Sequence, residues 1–370
     1  MRHVIALGLF LAVICAVAPV RAAEDADYRK LNQVIVSQHI LPRYQTFMAA
    51  TDRLATAAEQ TCATRATGEL GALKTAFIAA MQDWEAIQHV RFGPVEFFSR
   101  ASRIYFWPDP RASAATQLDD LLAKEDSNAL APDSFAKSSV AVQGFPALEI
   151  LLYGDDAGAK LAAGTAAGAY RCAVLVTIAR NLQVMGRELD EEWRSGADPY
   201  GALLDRAGPD DLRFRHASEV TIELFKALYG DIELVADHKL ARPLGASAQA
   251  ARPRLAEAWR SKQSLANIQR NLAAAQAMYD GENGSGGISA FLRDVIGDST
   301  LDGLMKRAFA QTAATANGIT VPLEDGIGKA PTRAQFDKLA REAKALKALL
   351  VQRLAPALGI PVGFNQLDGD

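Results

Sequence analysis

The chain has 370 residues with 40 basic and 43 acidic side chains, a formal net charge of −3. This balance excludes the basic footprint of a nucleic-acid binder. Alanine and leucine dominate, β-branched runs are scarce and the length accommodates two domains of ordinary size, so an all-α chain is predicted.

Arg2 and His3 form a short basic start, Val4 to Val17 is apolar, and Val20-Arg21-Ala22 places small residues where a signal peptidase reads. Residues 1–22 therefore read as a cleavable signal peptide, cut after Ala22. The apolar run is too short to span a bilayer and no later stretch does so, which predicts a periplasmic mature chain without a transmembrane segment. Val13-Ile14 ahead of Cys15 does not fit the small residues of a lipoprotein site. Removing the leader leaves Cys62 and Cys172, most simply read as one disulfide of an exported protein. Each is expected near the start of a helix, and closing so long a loop would stabilise by roughly 4–5 kcal/mol at most. The pair lacks the C-x-x-C spacing of structural zinc.

The first predicted helix runs from about 27 to 57, with a kink or break expected at Pro42. Leu70, Leu73, Phe77, Met81, Trp84 and Ile87 draw one apolar stripe, and Val174, Ile178, Leu182, Met185, Leu189 and Trp193 draw another. Thr332 and Gln335, just after Pro331, read as a capping box opening a helix with Phe336, Leu339, Ala343, Leu346 and Leu350 on one face. Turn formers cluster at 195–199, 281–287 and 318–331. The expected domains are a helical bundle over 23–200 and a second over 201–370.

Between the first two stripes, Gly144-Phe145-Pro146-Ala147-Leu148-Glu149-Ile150-Leu151-Leu152-Tyr153-Gly154 sets one carboxylate in an apolar run. A buried carboxylate without partners is costly, so Glu149 is either satisfied inside the fold or faces a ligand. Pro146 suits the first turn of a short helix and Gly154 its end.

The segment resembles the G-x-H-x-x-E signature of the imelysin-like family, with Pro146 in place of the histidine. Trp84, Arg91-Phe92-Gly93-Pro94 and Arg103-Ile104-Tyr105-Phe106-Trp107-Pro108-Asp109 are similar to the family's W…F-G-P…I-x-x-W-P pattern. His238-Lys239-Leu240, Arg260-Ser261 and Ser264-Leu265-Ala266-Asn267-Ile268 resemble its second half. The resemblance implies two related helical bundles with the signature glutamate near their meeting place. It also implies either the peptidase activity that gave the family its name or a link to bacterial iron uptake. The expected signature set is Gly144, Glu149, Trp84, Arg91, Gly93, Pro94, Arg103, Trp107, Pro108 and Asp109. Within it, Glu149, an acid such as Asp109 and an arginine such as Arg91 or Arg103 would make a polar ligand pocket. Glu149 is the candidate ligand for iron or another divalent metal, and envelope iron-transport components are the candidate partners.

Catalysis finds little support in the residues. There is no H-E-x-x-H and no G-x-S-x-G, and only His39, His89, His216 and His238 follow the leader. A non-catalytic binding protein linked to iron is the leading expectation, with an imelysin-type metallopeptidase and a structural or interaction module of the envelope as alternatives. Two further patterns, His216 with Glu219 and Glu223, and Glu85 with His89, read as pairs on solvated helix faces. Gly326-Ile327-Gly328-Lys329 is a loop, lacking the spacing of a phosphate-binding motif.

Overall fold

The computed structural model describes residues 23–64, 70–284 and 286–361, so the leader, its cleavage site and Cys15 lie outside the described residues. These residues are helical, with no strand among them. The main helices are α1 (Asp25–Ile35), α2 (Leu41–Thr64), α3 (Leu70–Glu85), α4 (Ser113–Lys124), α5 (Phe145–Tyr153), α6 (Ala166–Arg194), α7 (Ala217–Glu233), α8 (Ser264–Asp280), α9 (Ser299–Asn317) and α10 (Ala330–Leu349).

The two predicted stripes are packing surfaces. Val174, Ile178, Leu182, Met185, Leu189 and Trp193 of α6 are buried, as are Leu73, Phe77, Met81, Trp84 and Ile87 in and after α3. Full burial stabilises such side chains by about 1.5–3 kcal/mol apiece, so packing rather than helix propensity fixes these elements. In the first group α2 lies along α3 and α6, and α5 fits between them with α4 across it. In the second, α8 packs on α7 and α9, and α10 packs on α7 and α9. Contacts between α3 and α8, and between α1 and α7, join the groups, and one apolar core runs through both.

Pro42 does not break its helix. The chain passes from α1 into α2 through a π-helical turn, Val36–Ile40, in which the Leu41 amide reaches the Val36 carbonyl. The wider turn absorbs the missing proline donor, which is how a helix keeps running past such a residue. Thr332 forms no capping box either: α10 already begins at Ala330 with Pro331 in its first turn, and the Thr332 hydroxyl donates back to the Gly326 carbonyl at 2.7 Å. Proline tolerates the first helical turn, so the start moves ahead of the threonine.

Cys62 and Cys172 are joined in a disulfide with Cα atoms 5.6 Å apart. Cys62 lies at the end of α2 and not at a helix start, so the bridge ties that end to the opening turns of α6. Replacing both cysteines by serine is expected to lower stability by about 2–5 kcal/mol, measured as a shift in urea midpoint. An unchanged midpoint would show that the bridge constrains nothing the helices do not already hold.

Candidate functional site

Helix α5 is seated by Gly144, its N-cap. A Cβ there would lie 2.1 Å from the Ile104 carbonyl oxygen and 2.4 Å from that of Arg103, so only glycine lets this backbone cross the end of the 100–104 helix. Pro146 occupies the first turn, where its missing N–H costs nothing. Three residues on, Glu149 is buried and reaches across to the second group of helices: its Oε1 accepts the Ser261 amide at 2.8 Å and the Ser261 hydroxyl at 2.7 Å. Burial raises the Glu149 carboxyl above its ordinary value, against the Ser261 donors and the Arg260 charge. The turn it holds requires holding. Ala258 (φ 48°) and Lys262 (φ 59°) both sit in the left-handed region, at about 1–2 kcal/mol each for residues with a Cβ.

That turn and the signature helix wall a pocket of about 330 Å³. Trp107, Pro108 and Asp109 form one side, Pro146, Glu149 and Ile150 the second, and Arg242, Arg254, Trp259 and Arg260 the third. The Trp107–Pro108 peptide is cis. Asp109 is engaged as a helix cap: its two oxygens accept the Ser113 and Ala114 amides at 2.9 and 2.8 Å at the start of α4. The Arg254 and Arg260 guanidiniums lie 5.5 and 4.5 Å from the Trp259 ring centre, in cation–π range.

The remaining members of the signature set lie away from this pocket. Trp84 packs in the core against Phe47, ring centres 5.4 Å apart. Gly93 (φ +75°) turns the chain and donates to Glu96, where a Cβ would meet the Tyr200 ring, and the Pro94 carbonyl accepts from Arg100 at 2.9 Å. Arg103 donates to Gln143 at 2.6 Å and Asn181 at 3.1 Å, bracing the approach to Gly144. Arg91 donates to the Gln88 carbonyl at 3.1 Å, and its charge faces Asp231, Glu85 and Glu257. The structure thus brings Trp107, Pro108, Asp109 and Glu149 together, without Arg91 or Arg103.

Sequence reasoning missed a buried ionic cluster beside the pocket. Lys239 Nζ lies 2.5 Å from Glu85 and 2.7 Å from Glu257, all three buried. Asn267 donates to Glu257 at 2.9 Å, Asn271 to Glu85 at 3.0 Å, and Gln88 also donates to Glu85. Burial and the Glu257 carboxylate raise the Glu85 carboxyl. Burial alone would lower Lys239, but Glu257 and Glu85 outweigh it and hold the ammonium above its ordinary value. Tyr105, on the pocket wall, is raised by burial and then by the Glu257, Glu85 and Glu149 carboxylates. The sequence hints were Lys239 at the end of the largely apolar run Leu234-Val235-Ala236-Asp237-His238-Lys239-Leu240 and Glu85, singled out with His89 rather than with the lysine.

Glu85 and His89 are accordingly not on a solvated face. Helix α3 ends at Glu85 and the chain turns, so the two part: Glu85 meets Lys239, while His89 Nε2 meets His39 Nε2 at 2.9 Å. His39 Nδ1 in turn meets Glu282 at 3.0 Å, which Arg43 also engages. His216 is exposed at the start of α7, with Glu219 accepting the Arg215 amide and Glu223 paired to Lys226, so these three do not converge.

Two predictions follow the buried charges. Lys239→Met leaves two carboxylates without their cation and is expected to cost about 3–5 kcal/mol in urea unfolding; a loss below about 1 kcal/mol would contradict the cluster's importance. His39 is lowered to about 4, chiefly by burial and against its Glu282 bond. Unfolded histidine titrates near 6.5, so below that pH the unfolded chain binds a proton that the folded chain refuses. This contribution is fully present above pH 6.5 and lost as pH falls through 4, on the order of 3 kcal/mol. Between pH 7 and 4.5, His39→Gln should therefore lose less stability than wild type. Glu85, raised by burial, acts with the opposite sign in both proteins and cancels in that difference. Equal losses would place the acid sensitivity elsewhere.

Residues 40–352 match the imelysin family of peptidases. The chain is 24% identical over 261 residues to "Iron-regulated protein A" of Synechococcus elongatus, covering 69% of this chain and 66% of that protein. Among solved structures it resembles an imelysin-like protein from Psychrobacter arcticum, with TM-score 0.73 and 21% identity over 93% of this chain and 99% of that one. It also resembles a Parabacteroides distasonis protein described as an iron-regulated protein A precursor, with TM-score 0.73 and 15% identity over 89% and 95% of the two chains. With the family match spanning most of its length, the chain belongs to the imelysin family.

Proposed function

We propose that the mature chain is an exported, non-catalytic binding protein that serves iron handling in the cell envelope and carries its ligand in the pocket between α5 and the 256–263 turn. The observation that carries this reading is the pocket itself: an aromatic-walled recess at the junction of the two helical groups, beside the signature glutamate, in a chain similar to an iron-regulated protein. The basic start and apolar run of residues 1–17 support export.

A resident catalytic metal does not fit the side chains. Pro146 supplies no donor where the signature has histidine, Glu149 Oε1 is taken by Ser261, and both Asp109 oxygens cap α4. Among the described residues no group of three or more His, Cys, Asp or Glu is placed to hold a metal ion. A zinc peptidase needs about three such ligands and a base for its water. No hydrolytic step is assigned.

The test is iron retention by the purified mature chain after gel filtration, with iron offered both as a simple salt and in weak organic chelates, alongside an unfolded protein substrate. About one iron per chain in at least one of these forms, with no cleavage, is expected. Cleavage that chelators abolish, or no retention in any form, would overturn the reading.

A further inference from the structure

The charges left over on the pocket walls point to the form in which a ligand arrives. Arg242, Arg254 and Arg260 all line it, and no salt bridge among the described residues engages any of them. The pocket walls thus carry three guanidinium side chains against two acids, Asp109 and Glu149. Neither of the two pocket acids is free to chelate: Asp109 accepts two amides at the start of α4, and Glu149 accepts the amide and hydroxyl of Ser261. A bare cation entering here would meet more basic than acidic side chains and no free chelating set. An anion would meet planar donor forks suited to carboxylates, and Trp107, Pro108, Pro146 and Trp259 would cover its carbon skeleton.

We propose that the pocket recognises a small polycarboxylate, held by Arg254 and Arg260 against Trp259 with Arg242 as the third positive wall. Its volume of about 330 Å³ matches about ten water-sized groups, the scale of a di- or tricarboxylate. The inference rests on the iron-handling reading for one step only: a ferric polycarboxylate chelate brings the iron ligands that the protein lacks, and the protein binds the carboxylate shell. A neighbouring cavity shares Ile150, Trp259, Arg254 and Arg260 and adds Lys160, Arg171 and Lys262 with Asp119, Asp155, Glu324 and Asp325, so Arg254 and Arg260 stand between two recesses and Arg242 belongs to the first alone.

Calorimetric titration of the mature chain with citrate, ferric citrate, inorganic phosphate and a ferrous salt without chelator tests this, with Arg254→Gln and Arg260→Gln beside wild type. Both arginines keep solvent access, and thermal melts check that the variants stay folded. Saturable binding of citrate or ferric citrate is expected, weakened about tenfold or more by either substitution and reduced by salt. Citrate bound as tightly as ferric citrate would uphold the carboxylate site and remove its iron cargo. Tighter binding of ferric citrate would uphold both. The ferrous salt binding alone, unaffected by the arginine variants, would overturn the carboxylate site while leaving iron handling intact. Phosphate binding as tightly as citrate, or carboxylate binding indifferent to both arginines, would overturn it as well.

Discussion

A carboxylate drawn out of water must be given donors, and where this fold obtains them decides the rest of its architecture. Glu149, on a short helix of the first group, finds its donors on Ser261 of the second. Glu85, at the end of α3, finds Lys239 and two asparagines across the same junction. Leaving either acid unpaired would cost several kcal/mol. The two helical groups are therefore committed to one another, with apolar packing continuous beneath the polar bonds.

The proposed function rests on how those bonds distribute charge. The Glu149 clamp holds a turn that contains two left-handed non-glycine residues, and that turn presents Trp259 and Arg260 to the pocket. Asp109 stays on the opposite wall to start α4. Both pocket acids thus serve the scaffold, while Arg242, Arg254 and Arg260 line the pocket outside any salt bridge among the described residues. Proline in place of the signature histidine fits the same division, since it adds apolar wall and no donor.

The fold was legible in the sequence wherever burial writes a period. The Leu73–Ile87 and Val174–Trp193 stripes bury as spaced, with Leu70 only half-buried, and Cys62 with Cys172 forms the bridge that two cysteines in an exported chain imply. Glu149 was legible as an anomaly but its partner was not, because Ser261 lies 112 positions away and a serine carries no pattern. Lys239 and Glu257 were missed for a related reason: a charge between apolar neighbours reads as a gap in a stripe until the opposite charge arrives from another helix. Asp109 looked like a ligand because residue type is visible in sequence, whereas the amides it caps are not. Thr332 was misread through a local rule that an earlier helix start overrides, whereas at Pro42, where a kink or break is expected, the chain takes a π-turn.

Amide hydrogen exchange at Ser261 in wild type and Glu149→Ala tests most directly whether the signature glutamate organises the pocket by holding this turn. The account predicts a protected Ser261 amide in wild type, with the variant exchanging at loop-like rates over 256–263 while α3 and α6 stay protected. Unchanged protection of Ser261 in the variant would contradict it, because the turn would then be held by something other than Glu149.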